Sequence, residues 1–421
     1  MVEESSPGLC ADVRLGWYEF GPRKTTTNGV LAKGARTGEA SCPEKDMYLG
    51  LRSLRRVAVV LALLVAAPAL ANGDGAEHEG HDHHPALRFR ADRRFKIVQF
   101  TDTQDGQDTD PRTVALIGAV LDDQRPDLVV FTGDQLTSKP KTPADVRRAI
   151  DNIVRPVEAR RIPWLVTFGN HDEDHTASTG VDREAQLAIY RSYPHNLNHP
   201  SPKGVTGTGN MHAIVKASRG DAPAFNVWAL DSGKYAPAKL SEQVVAEDFL
   251  LGWSWMPTWD WIKQDQVEWY VRSSERLERE AGHKVPSLMF FHIPLQEFRQ
   301  MYDNDAYKRA HPELGLVAQH VVTGERNEDE CPGPFNSGLF AALLARGDVK
   351  GVFVGHDHVN DYVGDYFGVT LGYSANTGFA TYGLGGADNH RLRGARVFVV
   401  DEDRPERVDT RMVFARDYGI R

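Results

Sequence analysis

The sequence predicts an α/β fold, and three observations carry that expectation. Apolar runs rich in β-branched residues alternate with helical stretches. Five of those runs are followed at once by short clusters of Asp, Asn, Gln and His. No internal repeat and no linker interrupts the region that contains them.

The elements follow in order. Lys96 to Phe100 (KIVQF) reads as a buried strand, and Thr113 to Leu121 carries helical spacing. Asp127 to Phe131 (DLVVF) is a second strand. Thr142 to Arg161 is a long amphipathic helix, with Thr142 placed to cap it and Asp145 three residues on. Trp164 to Phe168 (WLVTF) is a third strand. Strand, helix, strand, helix, strand is the grammar of a parallel sheet with helical crossovers. Further strands are expected at His212 to Ala217, Phe225 to Leu230, Ser287 to Phe291, Gly351 to Val354, Val369 to Leu371, Ala395 to Val400 and Val408 to Val413. A helix is expected from Gln264 to Glu280. Residues 94–421 then form one domain of roughly 325 residues, large for a single domain. Trp253, Trp255, Trp259, Trp261 and Trp269 crowd one excursion between strands. Such a cluster either lines a cleft or forms a core that wraps the excursion, and the core is the commoner use.

The bulk composition sets limits. The chain has 421 residues, 41% hydrophobic and 25% charged, ordinary for a soluble globular protein. A formal charge of -9 argues against a broad basic surface for nucleic acid. It leaves a phosphate site open, because bound cations attract phosphate locally. Of the three cysteines, Cys10 and Cys42 precede a segment expected to be removed, so Cys331 would remain without an intramolecular disulfide and is read as inert.

That segment is a secretory signal peptide, residues 47–71. Arg52, Arg55 and Arg56 precede the apolar run Val57 to Ala67, and Ala69-Leu70-Ala71 ends it in a small-x-small cleavage pattern. The run is too short to span a bilayer comfortably. Residues 1–46 show no period, and Met47 is the expected start, with the residues before it an over-extended gene model. Residues 72–93, with His78, His81, His83 and His84, read as a disordered His-rich leader. The chain is therefore expected to be exported, periplasmic or extracellular, with no membrane anchor. The sequence leaves its oligomeric state open.

The chemistry lies at the strand ends. Asp102-Thr103-Gln104 follows KIVQF, Gly133-Asp134 follows DLVVF, and Gly169-Asn170-His171-Asp172 follows WLVTF. His292 follows Ser287 to Phe291, and Gly355-His356-Asp357-His358 follows VFV. The carboxyl ends of strands are where α/β sheets place ligands. Carboxylate, amide oxygen and imidazole are the donors that Mn, Fe and Zn accept. Taken singly, Asp102 and Asp134 can be helix caps, Asn170 a turn residue and His292 a core histidine. Five such clusters in series make a common metal site the better account. The other histidines are read as structural or surface, His175 being the one close enough in sequence to reach a substrate.

The order Asp-x-Gln, Gly-Asp, Gly-Asn-His-Asp, His, Gly-His-x-His resembles the calcineurin-like metallophosphoesterase superfamily, over roughly Phe95 to Arg396. FFHIPLQEF (Phe290 to Phe298), NSGLF (Asn336 to Phe340) and GHDHVNDY (Gly355 to Tyr362) look like its purple-acid-phosphatase-related branch. The resemblance implies a β-sandwich core flanked by helices. It implies two divalent metal ions (Mn, Fe, Zn or Mg): Asp102 and His358 on the first, Asp134 bridging, and Asn170, His292 and His356 on the second. His171 would face the substrate without binding metal, and Asp172 would orient it. A metal-bridging hydroxide would attack the phosphorus of a small phosphate ester. Asn336, Ser337 and the stretch Asn376 to Gly386 with Tyr382 are candidate substrate contacts.

Two departures from the resemblance matter. Many relatives have histidine where this chain has Gln104, a weaker ligand for Zn or Fe. Purple acid phosphatases carry a tyrosine where this chain has Thr137, so neither colour nor an obligatory ferric site is expected. Alternatives are a phosphodiesterase acting on nucleotides or lipid headgroups, and a metal-binding descendant without turnover. A surface adhesion module has no repeat or anchor to support it.

Overall fold

The computed structural model describes residues 86–240, 258–318, 320, 322–385 and 390–421. Among them, eleven strands form two sheets. In the first, β1 (Arg94–Phe100), β2 (Leu128–Thr132) and β3 (Trp164–Thr167) run parallel. Strands β10 (Gly394–Asp401) and β11 (Asp409–Phe414) extend it antiparallel from β1, giving the order β11-β10-β1-β2-β3. In the second, β5 (Pro223–Ala229), β6 (Ser287–Phe290), β7 (Val349–Val354) and β9 (Val369–Tyr373) are parallel. Strands β4 (Met211–Lys216) and β8 (Val363–Tyr366) close its two edges antiparallel.

The two sheets face each other. Ile97, Leu128, Val130, Leu165 and Phe398 of one pack with Val227, Leu288, Phe290 and Phe353 of the other. The alternate residues point outward, since successive strand side chains take opposite faces. Val98, Phe100, Val129, Phe131 and Trp164 are covered by α1 (Pro111–Gln124) and α2 (Pro143–Ala159). Trp228, Met289, Val352 and Leu371 are covered by α5 (Gln264–Ala281), α6 (Gln296–Ala310) and α7 (Leu339–Arg346). Covering on both faces is why these strands read as unbroken apolar runs. The result is the β-sandwich flanked by helices, rather than a single parallel sheet.

Local chemistry sets the helix ends. Asp110 caps α1 through the Arg112 amide, and Pro111 begins it, so the helix starts two residues before the apolar period does. Thr142 and Asp145 form the expected capping box on α2. Gly282, at φ 76°, ends α5. Four helices had no sequence expectation: α3 (Thr176–Thr179), α4 (Arg183–Arg191), α6 and α7. Along α6 only Glu297, Phe298, Met301 and Asp305 are buried, too sparse a stripe to read. Strand β8 was also missed, because it has four residues and alternates weakly.

Residues 86–93, expected from the sequence to be part of a disordered leader, instead pack on the folded domain. Leu87 and Phe89 are buried between the sheets, and the Phe89 amide donates to the Lys216 carbonyl at 2.9 Å. Two apolar side chains tie residues 86–93 to the core despite their basic neighbours. Trp253 and Trp255 lie outside the described residues. Of the other tryptophans, Trp269 packs edge-on against Trp228 in the core, and Trp261 against Phe335.

Phe353 sits between the sheets, its ring 4.5 Å from that of Phe398 and 6.1 Å from that of Phe290. Phe353→Ala is expected to lower unfolding free energy by about 3–5 kcal/mol. Urea denaturation measures it, and a loss under about 1 kcal/mol would mean the sheets do not pack as described.

Candidate metal centre

All five strand-end clusters converge. Asp102 lies two residues beyond β1, Asp134 two beyond β2, Asn170 three beyond β3, His292 two beyond β6 and His356 two beyond β7. The first three strands belong to one sheet and the last two to the other, so the site straddles the sandwich. Asp102, Gln104, Asp134 and His356 have φ of 50°, 40°, 54° and 74°, the left-handed region that costs non-glycine residues about 1–3 kcal/mol each. Backbone bonds between the loops hold them there: Gln104 donates to the Asp134 carbonyl at 2.9 Å and Asp102 to the Gly133 carbonyl at 3.1 Å. Two glycines are required by proximity. A Cβ on Gly169 would overlap the Asp134 carboxylate, and one on Gly355 would overlap Thr101 and Asp102.

Two triads of metal-binding atoms share one carboxylate. Asp134, His292 and His356 form one, and Asp102, Asp134 and His358 the other, with the atoms of each triad all within 4.8 Å of one another. All five residues are buried. Several of their atoms have no hydrogen-bond partner: Asp102 Oδ1, His292 Nε2, His356 Nε2 and both polar atoms of the Asn170 amide. His292 Nε2 lies 3.1 Å from Asp134 Oδ2 and 3.8 Å from Asp102 Oδ1 without an aligned hydrogen bond to either. Its Nδ1 donates to the Thr132 carbonyl at 2.8 Å, which leaves Nε2 to face the carboxylates. Buried polar atoms are almost always satisfied. A converging set of unsatisfied ligand atoms fits divalent cations, and the donor types fit Mn, Fe, Zn or Mg.

Electrostatics agree. Burial opposes charge on Asp134, but His292 and His171 outweigh it and hold the carboxyl well below the usual range. Burial also opposes charge on His292, yet Asp134 and Asp102 raise it to about 10, so a proton fills the gap between imidazole and carboxylates that a cation would take over, leaving the ring neutral. His356, between burial and the charge of His292, is pushed well below its ordinary value and stays neutral, as a ligand must.

His171 differs from the ligands. Its side chain is 37% exposed, where those of Asp134 and His292 are 1% and 0%. Its backbone amide donates to Asp134 Oδ1 at 2.7 Å. Its Nδ1 meets Asp174 Oδ2 at 2.5 Å, and Lys234 holds the other Asp174 oxygen at 3.0 Å. Burial lowers its pKa, but Asp134 and Asp174 raise it to about 9. A cation on Asp134 would cancel part of that pull.

Several expectations need correction. Asp172 does not orient the His171 ring; Asp174 does. Asp172 turns inward and accepts the amides of Gly169, Asp134 and Leu136 at 2.8, 2.9 and 3.0 Å. The 3₁₀ turn His171–Glu173 sends its side chain under the loop, whereas Asp174 at i+3 comes beside the ring. Gln104 does enter the centre, but its Nε2 donates to Asp134 Oδ2 at 3.0 Å while its oxygen takes the Thr381 hydroxyl. Asn336 is not among the converging residues: its amide is engaged by Glu297 at 2.5 Å and the Gly338 amide at 2.8 Å. His175 is fully buried, with Nδ1 3.0 Å from Thr179, and does not face solvent.

Other residues at the site lie outside the strand-end clusters: Arg183 and Tyr235 carried no sequence signal, Trp259 stood in the tryptophan cluster, and Tyr382 in the stretch expected to contact substrate. Arg183, buried, donates to the Gly169 carbonyl at 2.7 Å and to Asp231 at 2.6 Å, bracing the Asn170 turn. Trp259 packs edge-on to His356 at 4.6 Å, with Tyr235 stacked on it at 5.3 Å. Tyr382 stacks flat on His358, centroids 4.0 Å apart.

A two-sheet sandwich with carboxylates and imidazoles gathered at its strand ends defines a metal-dependent phosphoesterase. The family model for the calcineurin-like phosphoesterase matches residues 95–360. Two Arabidopsis thaliana proteins are similar in sequence. "Probable inactive purple acid phosphatase 29" is 32% identical over 75% of this chain and 79% of its own. "Probable inactive purple acid phosphatase 14" is 30% identical over 70% and 74%. A dimetal phosphatase from Danio rerio is similar in structure, with a TM-score of 0.44 and 12% identity, covering 76% of this chain and 99% of that one. The chain belongs to the calcineurin-like phosphoesterase family, in its purple-acid-phosphatase-related branch. Among the described residues, no helix is long and apolar enough to cross a membrane.

The two aspartates are separable by experiment. Asp172→Ala strips three buried amides of their acceptor and is expected to cost about 3 kcal/mol or more in urea denaturation. Asp174→Ala, at a more exposed site, should cost less than about 1 kcal/mol while shifting the His171 imidazole resonances. Equal stability losses would refute the division of roles.

Proposed function

We propose that this chain is an exported, two-metal phosphoesterase that hydrolyses a small phosphate ester. The observation that carries the reading is the set of buried, unpartnered ligand atoms around Asp134. Asp134, Asn170, His292 and His356 would hold one cation, and Asp102, Asp134 and His358 the other. Two such cations, when bound, supply the positive charge that grips a phosphoryl group and lower the pKa of water beside it.

The chain's own residues do the rest. Asp134 fixes the spacing of the two positions, since its carboxylate belongs to both triads. His171 lies on the solvent side and is held by Asp174 with Nδ1 engaged, leaving Nε2 for the substrate. From there it can stabilise phosphoryl charge or give a proton to the leaving oxygen. Trp259 and Tyr235 wall the His356 side.

A second reading is a metal-binding descendant without turnover. It is favoured by the Gln104 carbonyl oxygen, which is turned to Thr381. The word "inactive" in the names of the plant relatives points the same way. The solvent-facing His171 favours catalysis, because a protein that only binds metal has no use for it.

Loading purified protein with Mn, Zn, Fe or Mg and assaying a chromogenic phosphate monoester beside a diester tests the reading. Turnover is expected with at least one metal and should vanish on chelation. His171→Ala should lower kcat by at least about a hundredfold with metal content unchanged. No turnover with any of the four metals would leave the metal-binding reading. Export rests on the signal-peptide pattern at residues 47–71, outside the described residues. N-terminal sequencing of exported protein should begin near Asn72, and an uncut segment would overturn export by this route.

A further inference from the structure

Around the first cation position the hydrogen bonds run in one direction. His358 Nδ1 lies 3.4 Å from the Tyr382 carbonyl and 3.3 Å from Thr381 Oγ1. A carbonyl only accepts, so in the neutral imidazole Nδ1 carries the proton and Nε2 does not. Nε2 then faces Asp102 Oδ1 at 3.3 Å, two acceptors with room for a cation between them. At the other end, an ionised Asp134 also only accepts. It receives Gln104 Nε2 at 3.0 Å, so the Gln104 oxygen must look away, and there it meets the Thr381 hydroxyl. Both ends fix the same order: His358 Nδ1–H to Thr381 Oγ1–H to Gln104 oxygen, and Gln104 N–H to Asp134.

The loop that carries Thr381 is built to stay put. Buried Arg393 donates to the Thr381 carbonyl at 2.7 Å and to the Gly378 carbonyl. The Tyr382 ring lies 10° from parallel to His358, and its hydroxyl donates to the Glu328 carboxylate at 3.0 Å. The hydroxyl of Thr381 is thus held between two groups of the cation site by a loop that is itself anchored.

We propose that Thr381 is a positioning residue for the first cation site: its hydroxyl, donated to the Gln104 oxygen, keeps Gln104 as a donor to Asp134 rather than a ligand, and beside the Tyr382 carbonyl it accepts the Nδ1 proton that leaves Nε2 of His358 facing the metal. Gln104 then stands outside the metal sphere, and the first site is held by Asp102, Asp134 and His358 alone. The second site has four ligands and binds more tightly. The inference rests on the two-metal reading above.

Calorimetric titration of metal-free protein with Mn²⁺ tests it, on wild type, Thr381→Ser, Thr381→Val, Gln104→Leu and the Val/Leu double variant. Wild type should bind in two steps. Thr381→Val should weaken the weaker step about tenfold, the usual scale for partners that hold a ligand in place, and leave the tighter step within about twofold. Thr381→Ser, which keeps the hydroxyl, should restore the wild-type profile. Gln104→Leu should resemble Thr381→Val, and the double variant should lose no more than either single, because both break one chain. Additive losses, or an unchanged weaker step in Thr381→Val, would overturn the proposal. Failure of wild type to bind any Mn²⁺ would instead overturn the two-metal reading. If Thr381→Val does not fold, Gln104→Leu alone decides: loss confined to the weaker step and no larger than tenfold supports the chain, and loss of that step altogether makes Gln104 a ligand.

Discussion

The Asp134 carboxylate is the point on which the structure turns. It is buried, it belongs to both ligand triads, and it is approached from three other segments. The Gln104 amide, the His171 backbone N–H and the His292 imidazole all meet it. An ionised carboxylate away from water needs that much positive partnership. Its neighbour Asp102 brings a second carboxylate, whose Oδ1 makes no hydrogen bond and faces His358 Nε2 at 3.3 Å. Two carboxylates and three imidazoles, several with idle atoms, make an arrangement that divalent cations complete.

Much of the surrounding fold can be read as support for that carboxylate. Asp134 adopts a left-handed backbone conformation, and its loop must be kept there. Asp172 does this by accepting its backbone amide together with those of Gly169 and Leu136. Burial and the charge of Asp134 raise the Asp172 carboxyl to about 7, so the clamp is itself sensitive to its surroundings. Arg183 braces the next loop, and Gly169 gives Asp134 its space. The two β-sheets deliver these loops from opposite sides at a fixed distance, which a close-packed apolar interior makes rigid.

The same support distributes work unevenly. The side of the site with His292, His356 and Asn170 lies beneath Tyr235 and Trp259, while the side with His358 leans on Tyr382, Thr381 and Glu328. His171 lies between centre and solvent, tied through Asp174 to Lys234. A metal-dependent phosphoesterase of this family thus combines a buried charge cluster with a solvent-reaching imidazole. The burial that makes the ligands strong also keeps them from acting on substrate directly.

The strand-end clusters were legible because their residue types recur directly after apolar runs, and position on a strand is a local property. That alone grouped the five clusters into one site; the family resemblance then picked Asp102, Asp134, Asn170, His292, His356 and His358 out of them as ligands, with Gln104 as a weaker one. Sequence could not separate Asp172 from Asp174, since both are acids within three residues of His171, and only the path of a short 3₁₀ turn decides which reaches the ring. It placed Thr381 in a stretch expected near the substrate but could not pair it with Gln104, 277 residues away, which it meets only once β9 and β10 have brought the loop between them over β1. Nor could it show which end of the Gln104 amide faces Asp134. Local pattern determines which atoms are available to a site; direction, spacing and hydrogen-bond order come from contacts distant in sequence, and these exist only when both sheets have closed on each other.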